Sequence, residues 1–178
     1  MNIDYNLIMA ITAVVATIVS IWAILFESKR SRLTHNSDMI LRLYESFNTN
    51  EMRRARKASA TFLLSLMDNP NIDEQPNADV EVVLDFFQLI GLLTRRGALD
   101  KQMVWSKFFY YLHPYHYAAE KYIKTRRKIH DDISLWADIN KLHKRLISIE
   151  KRARQCSYSK ISLDKDSIKK YLEEEIHL

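Results

Sequence analysis

The chain has 178 residues, with 27 Lys/Arg against 22 Asp/Glu for a formal net charge of +5, and holds 2 Gly, 3 Pro and 1 Cys. So few backbone breakers favour long helices and exclude a β-sandwich with its frequent turns. The lone Cys156 excludes an intrachain disulfide and a multi-cysteine zinc site, and it suits a reducing cytosol.

From Leu7 to Phe26 no residue is charged, Gly or Pro, and only Thr12, Thr17 and Ser20 are polar. A bilayer core about 30 Å thick takes roughly 20 helical residues to cross. The stretch therefore predicts a transmembrane helix, with Leu7, Ile11, Val15, Ile18, Trp22, Leu25 and Phe26 as anchoring residues. It does not read as a secretory signal, because its start carries Asp4 and no lysine and its end is bulky. An all-round apolar helix also suits lipid better than the core of a small domain. Lys29, Arg30 and Arg32 follow directly, which places that side in the cytoplasm. The expectation is a single-pass membrane protein, N-terminus out and C-terminal domain in the cytosol. Small residues at Ala10, Ala13, Ala16, Thr17 and Ser20 allow sister helices to approach, and a homo-oligomer is expected through the stalk that follows and a near-heptad helix over 133–155.

Helical periodicity continues through Met39, Ile40, Leu43, Tyr44 and Phe47, as a stalk would. Asn48 to Glu51 reads as a turn, with Thr49 or Asn50 capping a helix over Glu51 to Met67. Arg53, Arg54, Arg56 and Lys57 oppose the dipole at its start, so a partner is expected, such as the acidic segment that follows. A loop from Asp68 to Asn77 leads to Asp79, read as the cap of a helix from Val80 to Arg95. Gly97 suits the left-handed position after it, and Asp100 caps the next helix. Pro114 permits either a fresh start or a kink. After the break at His130-Asp131-Asp132, a helix is expected from Ile133 to Gln155, with Ile133, Trp136, Ile139 or Asn140, Leu142 or His143, Leu146, Ile149 and Ala153 on its apolar face. Asp164 to Ile176 reads as a short helix, frayed or docked on a basic face. The organisation is an anchor over 1–28, an all-α cytosolic bundle of about five helices over 29–156, and a tail over 157–178.

Candidate chemistry is sparse. His113, His116 and Glu120 hint at metal, but three or four ligands are needed and no HExxH pattern is present, so no metal is assigned. Cys156 lies beside Arg152 and Arg154 without a Cys/His family pattern, and no glycine-rich loop exists to cradle phosphate. No catalytic residue and no cofactor are expected, and no enzyme. The region 105–128 interleaves aromatics with cations, as in faces that stack bases and neutralise phosphates. Its candidate ligand-binding residues are Lys107, Tyr115, Lys121, Tyr122, Lys124, Arg126 and Arg127. The same pattern also fits a core-facing aromatic stripe beside a solvated or lipid-facing basic one. DNA binding is not expected, since no polar recognition helix follows the corner at Gly97. Asp85 and the arginines at 53–56 are expected to form an interior ion pair.

Residues 80–150 carry the run VLDFFQLIGLLTRRGALDKQMVWSKF and later DISLWADINKLHKRL. With Arg53 and Arg56, the turn Phe86-Phe87-Gln88, the corner Gly97 to Asp100 and Trp136, the chain resembles an uncharacterised family of bacterial membrane-anchored helical proteins. Gln88 stands where an acid would be expected. The resemblance implies one N-terminal membrane helix before an all-α cytosolic domain, and no activity. Small membrane proteins of this plan include effectors of bacterial antiviral defence whose cytosolic domain senses a nucleotide. The reading is therefore a membrane-tethered interaction or regulatory module, with the bilayer and sister copies as partners. A nucleotide-gated membrane effector is the alternative.

Overall fold

The computed structural model describes Trp22 and residues 36–69, 75–155 and 161–177. The chain divides into two units, 1–38 and 39–178, and the second carries the architecture described below. Among the described residues there is no strand, and no helix is long and apolar enough to cross a membrane. The stretch Leu7–Phe26, with its anchoring residues Leu7, Ile11, Val15, Ile18, Leu25 and Phe26, lies outside the described residues, as does Cys156.

Six helical stretches follow in order: α1 over 36–47, α2 Asn50–Asp68, α3 Ala78–Arg95, α4 Lys101–Ile129, α5 Ala137–Arg154 and α6 Lys165–Ile176. Helix α2 packs on α3 and α6, α3 packs on α5, and α4 packs on α5 and α6. The core gathers around Phe47 at the end of α1, whose ring lies 5.1 Å from Phe86, 5.9 Å from Phe108 and 4.9 Å from Tyr111. Each such ring taken from water contributes about 1.5–3 kcal/mol.

The helix ends follow local chemistry. Thr49 accepts the Met52 N–H, and Asp100 accepts from Gln102 and Met103. Gly97 takes φ +74°, the left-handed conformation that lets the chain turn between α3 and α4. The cap of α3 is Asn77, which accepts the Val80 N–H at 3.0 Å, so Asp79 falls in the first turn instead of at the cap. There its charge still faces the favourable end of the dipole. Helix α4 runs through Pro114 without interruption. The missing N–H leaves only the Tyr110 carbonyl without its helical donor.

Helix α5 begins at Ala137, four residues later than periodicity predicts, and Ile133 is 89% exposed. Two tertiary contacts hold Trp136 out of the helix, at φ 53°. Its indole N–H donates to Asp85 at 2.7 Å, and its ring packs 6.2 Å from Tyr122. A left-handed non-glycine residue costs on the order of 1 kcal/mol and persists where contacts over-determine it. Trp136 offers no capping side chain, and Gln88 from α3 supplies one by accepting the Asp138 N–H at 3.0 Å. Asp85 is thus occupied by Trp136, and the expected pairing with the arginines at 53–56 is corrected. The α3–α5 crossing is close: a Cβ on Gly91 would lie 2.6 Å from the Asp138 carbonyl oxygen. Arg95 clamps the same residue, donating from Nε and Nη2 to the Asp138 carboxylate at 2.8 and 3.1 Å.

The C-terminal segment is docked through a buried charge. Arg56 donates from Nε and Nη2 to Glu175 at 2.8 Å each, and from Nη1 to the Phe47 carbonyl at 3.2 Å. Its guanidinium also lies 4.1 Å over the Phe47 ring. The acid that opposes the α6 dipole is therefore matched by the cation that opposes the α2 dipole. Ile168, Tyr171 and Leu172 bury the inner face of α6.

Candidate functional site

Helix α4 presents His113 and His116, one turn apart, to Asn140 and His143 on α5. His113 and His143 are 5% and 4% exposed. His113 Nε2 meets the Ile161 carbonyl oxygen at 2.8 Å, which makes that nitrogen the donor. Burial holds His113 and His143 neutral, so His113 Nδ1 accepts and His143 Nε2 donates across 2.9 Å. His116 Nε2 donates to Asn140 Oδ1 at 2.8 Å, and its ring stacks on His143 with centroids 3.9 Å apart. Desolvation pulls all three imidazoles below their ordinary value, and the His143 pKa is pulled down to about 2. The mutual repulsion of the trio acts in the same direction on His116 and His143.

Two cavities are lined in part by these histidines. A groove of about 730 Å³ between α4, the end of α5 and α6 is lined by Trp105, Phe109, Tyr110, His113, Leu163 and Tyr171, among others. At its edge Glu150 accepts the Trp105 indole N–H at 2.7 Å and pairs with Arg154. A smaller cavity of about 210 Å³ is lined by His116, Glu120, Ile123, Lys124, Arg127, Asn140, His143 and Lys144. Among the described residues, no group of three or more His, Cys, Asp or Glu side chains is placed to hold a metal ion.

The seven residues expected to bind a ligand do not form one face. Tyr115 and Tyr122 are in the core. The Tyr115 hydroxyl bonds Ser59, and that of Tyr122 donates to Glu81 at 3.0 Å. Burial pushes the Tyr115 phenol up and that of Tyr122 up to about 12, so both stay neutral. Neither ring is placed to stack on a base. Lys107 lies 5.4 Å over the Tyr44 ring, near the other end of α4, and Lys121 is exposed. Arg126 pairs with Glu81 at 3.1 Å. The structure brings together only Lys124, ion-paired with Glu120 at 2.7 Å, and Arg127, whose Nε donates to the Leu135 carbonyl at 2.7 Å. Both line the smaller cavity.

Asn140, His143 and Lys144 were not singled out for chemistry by the sequence. The available signal was the inward register of α5, which allowed His143 on the buried face. The partners of that face lie 24 and 30 residues away.

A family model described as Domain of unknown function (DUF4760) matches residues 10–146. No curated protein and no solved structure matches the chain.

Proposed function

The chain belongs to the DUF4760 family, a domain of unknown function, and from that premise we propose that it is a membrane-tethered interaction or regulatory module without catalytic chemistry. In this reading Leu7–Phe26 anchors the protein in the bacterial inner membrane, N-terminus out. The bundle 39–178 works in the cytosol, and copies associate through the stalk after the anchor and the helix that ends near Gln155, with the anchor's small residues as a second contact.

The observation that carries the reading is how the polar side chains are used. Arg56, Glu175, Arg95, Asp138, Asp85, Tyr115 and Tyr122 all bond across helices. This is how charge serves packing, and it supports a bundle that acts by binding. The 730 Å³ groove, lined by aromatics with Glu150, Arg154, Lys170 and Glu174, falls in the size range of sites that take a ligand or a partner's side chains.

Membrane fractionation with alkaline carbonate extraction, combined with protease accessibility from each side, tests the anchor and its orientation. The chain should stay in the pellet, and Val15→Asp with Ile18→Asp should release it. Release of the unaltered chain would refute the anchor. Crosslinking in membranes should trap homo-oligomers. A large, saturable stabilisation of the full chain by one cyclic oligonucleotide would replace this reading with the nucleotide-gated one.

A further inference from the structure

Two buried polar atoms at the smaller cavity have no hydrogen-bond partner among the described residues: His116 Nδ1 and Arg127 Nη2. Both are held in place by their other nitrogens. Arg127 is fixed through Nε on the Leu135 carbonyl. His116 is fixed through Nε2 on Asn140 and by the stack on His143. Burying an unpaired polar atom costs about 1–3 kcal/mol, and the two residues that carry these atoms line one cavity, so an occupant that satisfied both would stabilise the fold.

The two atoms have opposite needs. Arg127 Nη2 donates and requires an acceptor. His116 donates from Nε2, so its Nδ1 offers a lone pair and requires a donor. Around them stand Lys124, Arg127 and Lys144 against the single carboxylate of Glu120. Water offers both donor and acceptor but leaves the excess positive charge unmatched. Sulfate matches the charge but carries no proton at neutral pH. We propose that the cavity between α4 and α5 binds a monoprotonated phosphate group, as hydrogen phosphate or as a phosphomonoester bearing its proton. Unprotonated oxygens accept from Arg127 Nη2 and the Lys144 ammonium, and the P–OH donates to His116 Nδ1. The cavity of about 210 Å³ holds several waters' worth of volume, at about 30 Å³ each, enough for a phosphate with a small substituent. The site uses Arg127 and Lys144 for phosphate without any base-stacking ring.

The test uses the full chain in neutral detergent at pH 7.5 and constant ionic strength, titrated with inorganic phosphate or sulfate while melting is followed. Phosphate should raise Tm with the logarithm of its concentration, by about 4 °C or more at thirty times its dissociation constant. Sulfate should need at least about ten times the concentration, the factor that one lost hydrogen bond represents. Lys144→Glu, at an exposed position, should leave the phosphate-free Tm unchanged and weaken phosphate at least about tenfold. Arg127→Gln should abolish the response. Equal rises of Tm with phosphate and with sulfate overturn the proposal, as does an unaltered rise in Lys144→Glu. Nanodiscs containing phosphatidic acid, compared with phosphatidylcholine alone, separate the two sources of the group. A Tm rise with the acidic lipid and none with inorganic phosphate assigns a lipid headgroup, and a rise with inorganic phosphate assigns a free ligand. No rise in either arm overturns the site.

Discussion

Lowering the pH from 7.5 to 5.5 acts on the three histidines at the α4–α5 contact. An unfolded chain protonates each imidazole near its ordinary value of 6.5, whereas burial keeps the folded ones neutral. The unfolded state therefore binds more protons in this window, so stability is greatest above 6.5 and is lost as the pH falls. For a histidine that stays neutral when folded, the change over these two pH units is about 1.4 kcal/mol. His143, with its pKa pulled down to about 2, contributes the whole of this. His113 and His116 are lowered and act in the same sense. The loss is therefore at least about 1.4 kcal/mol and at most about 4 kcal/mol, the limit at which all three stay neutral. Asp138 does not contribute here, because Arg95 holds its carboxyl below the ordinary 3.8. The assay is urea unfolding of the full chain in chloride buffers at several pH values, with the slope in urea checked for constancy. His143→Phe keeps a ring against His116 but takes up no proton, so it should reduce the pH-dependent loss by about 1.4 kcal/mol. A midpoint that does not move between pH 7.5 and 5.5 would refute the buried, neutral assignment.

Three further outcomes test the packing. Glu175→Gln leaves the Arg56 charge buried without its counterion and should cost about 3–5 kcal/mol, while the double change Arg56→Met with Glu175→Met should recover much of that loss. In Glu175→Gln, hydrogen exchange should show the amides of α6 losing protection before those of α3. Gly91→Ala gains about 1 kcal/mol of helix propensity but places a methyl 2.6 Å from the Asp138 carbonyl, where both sides are backbone. Overpacking of this kind costs about 1–3 kcal/mol, so Tm should fall, and a rise would contradict the close crossing. Gln88→Leu removes the acceptor of the Asp138 N–H and should cost about 1 kcal/mol by urea unfolding, whereas Gln88→Glu should retain most of the stability.

Much of the architecture was legible because it rests on local rules. The caps at Thr49 and Asp100 and the turn at Gly97 follow from side chains and backbone within a few residues of one another. The motifs behind the family resemblance were also legible as residues, but not as roles. Gln88, which stands where an acid was expected, caps α5 with its carbonyl oxygen. Arg56 pairs with Glu175 and not with the acidic loop that follows its own helix. The alternation of aromatics and cations in α4 was readable as a ligand face or as a core stripe. The buried rings of Tyr115 and Tyr122 place those two residues in the stripe, while Lys124 and Arg127 face a cavity.

By itself the sequence determined the all-helical class and most of the helix boundaries. These depend on hydrophobic period, on the scarcity of Gly and Pro and on interactions that reach four residues at most. Tertiary structure alone decided which inward groups meet. It joined Arg56 to a carboxylate 119 residues away and held Trp136 in a left-handed turn by Asp85. It also brought His143 against His113 and His116. Periodicity marks a face as buried but carries no information on what it is buried against. A site built from α4 and α5 therefore exists only once those two helices pack.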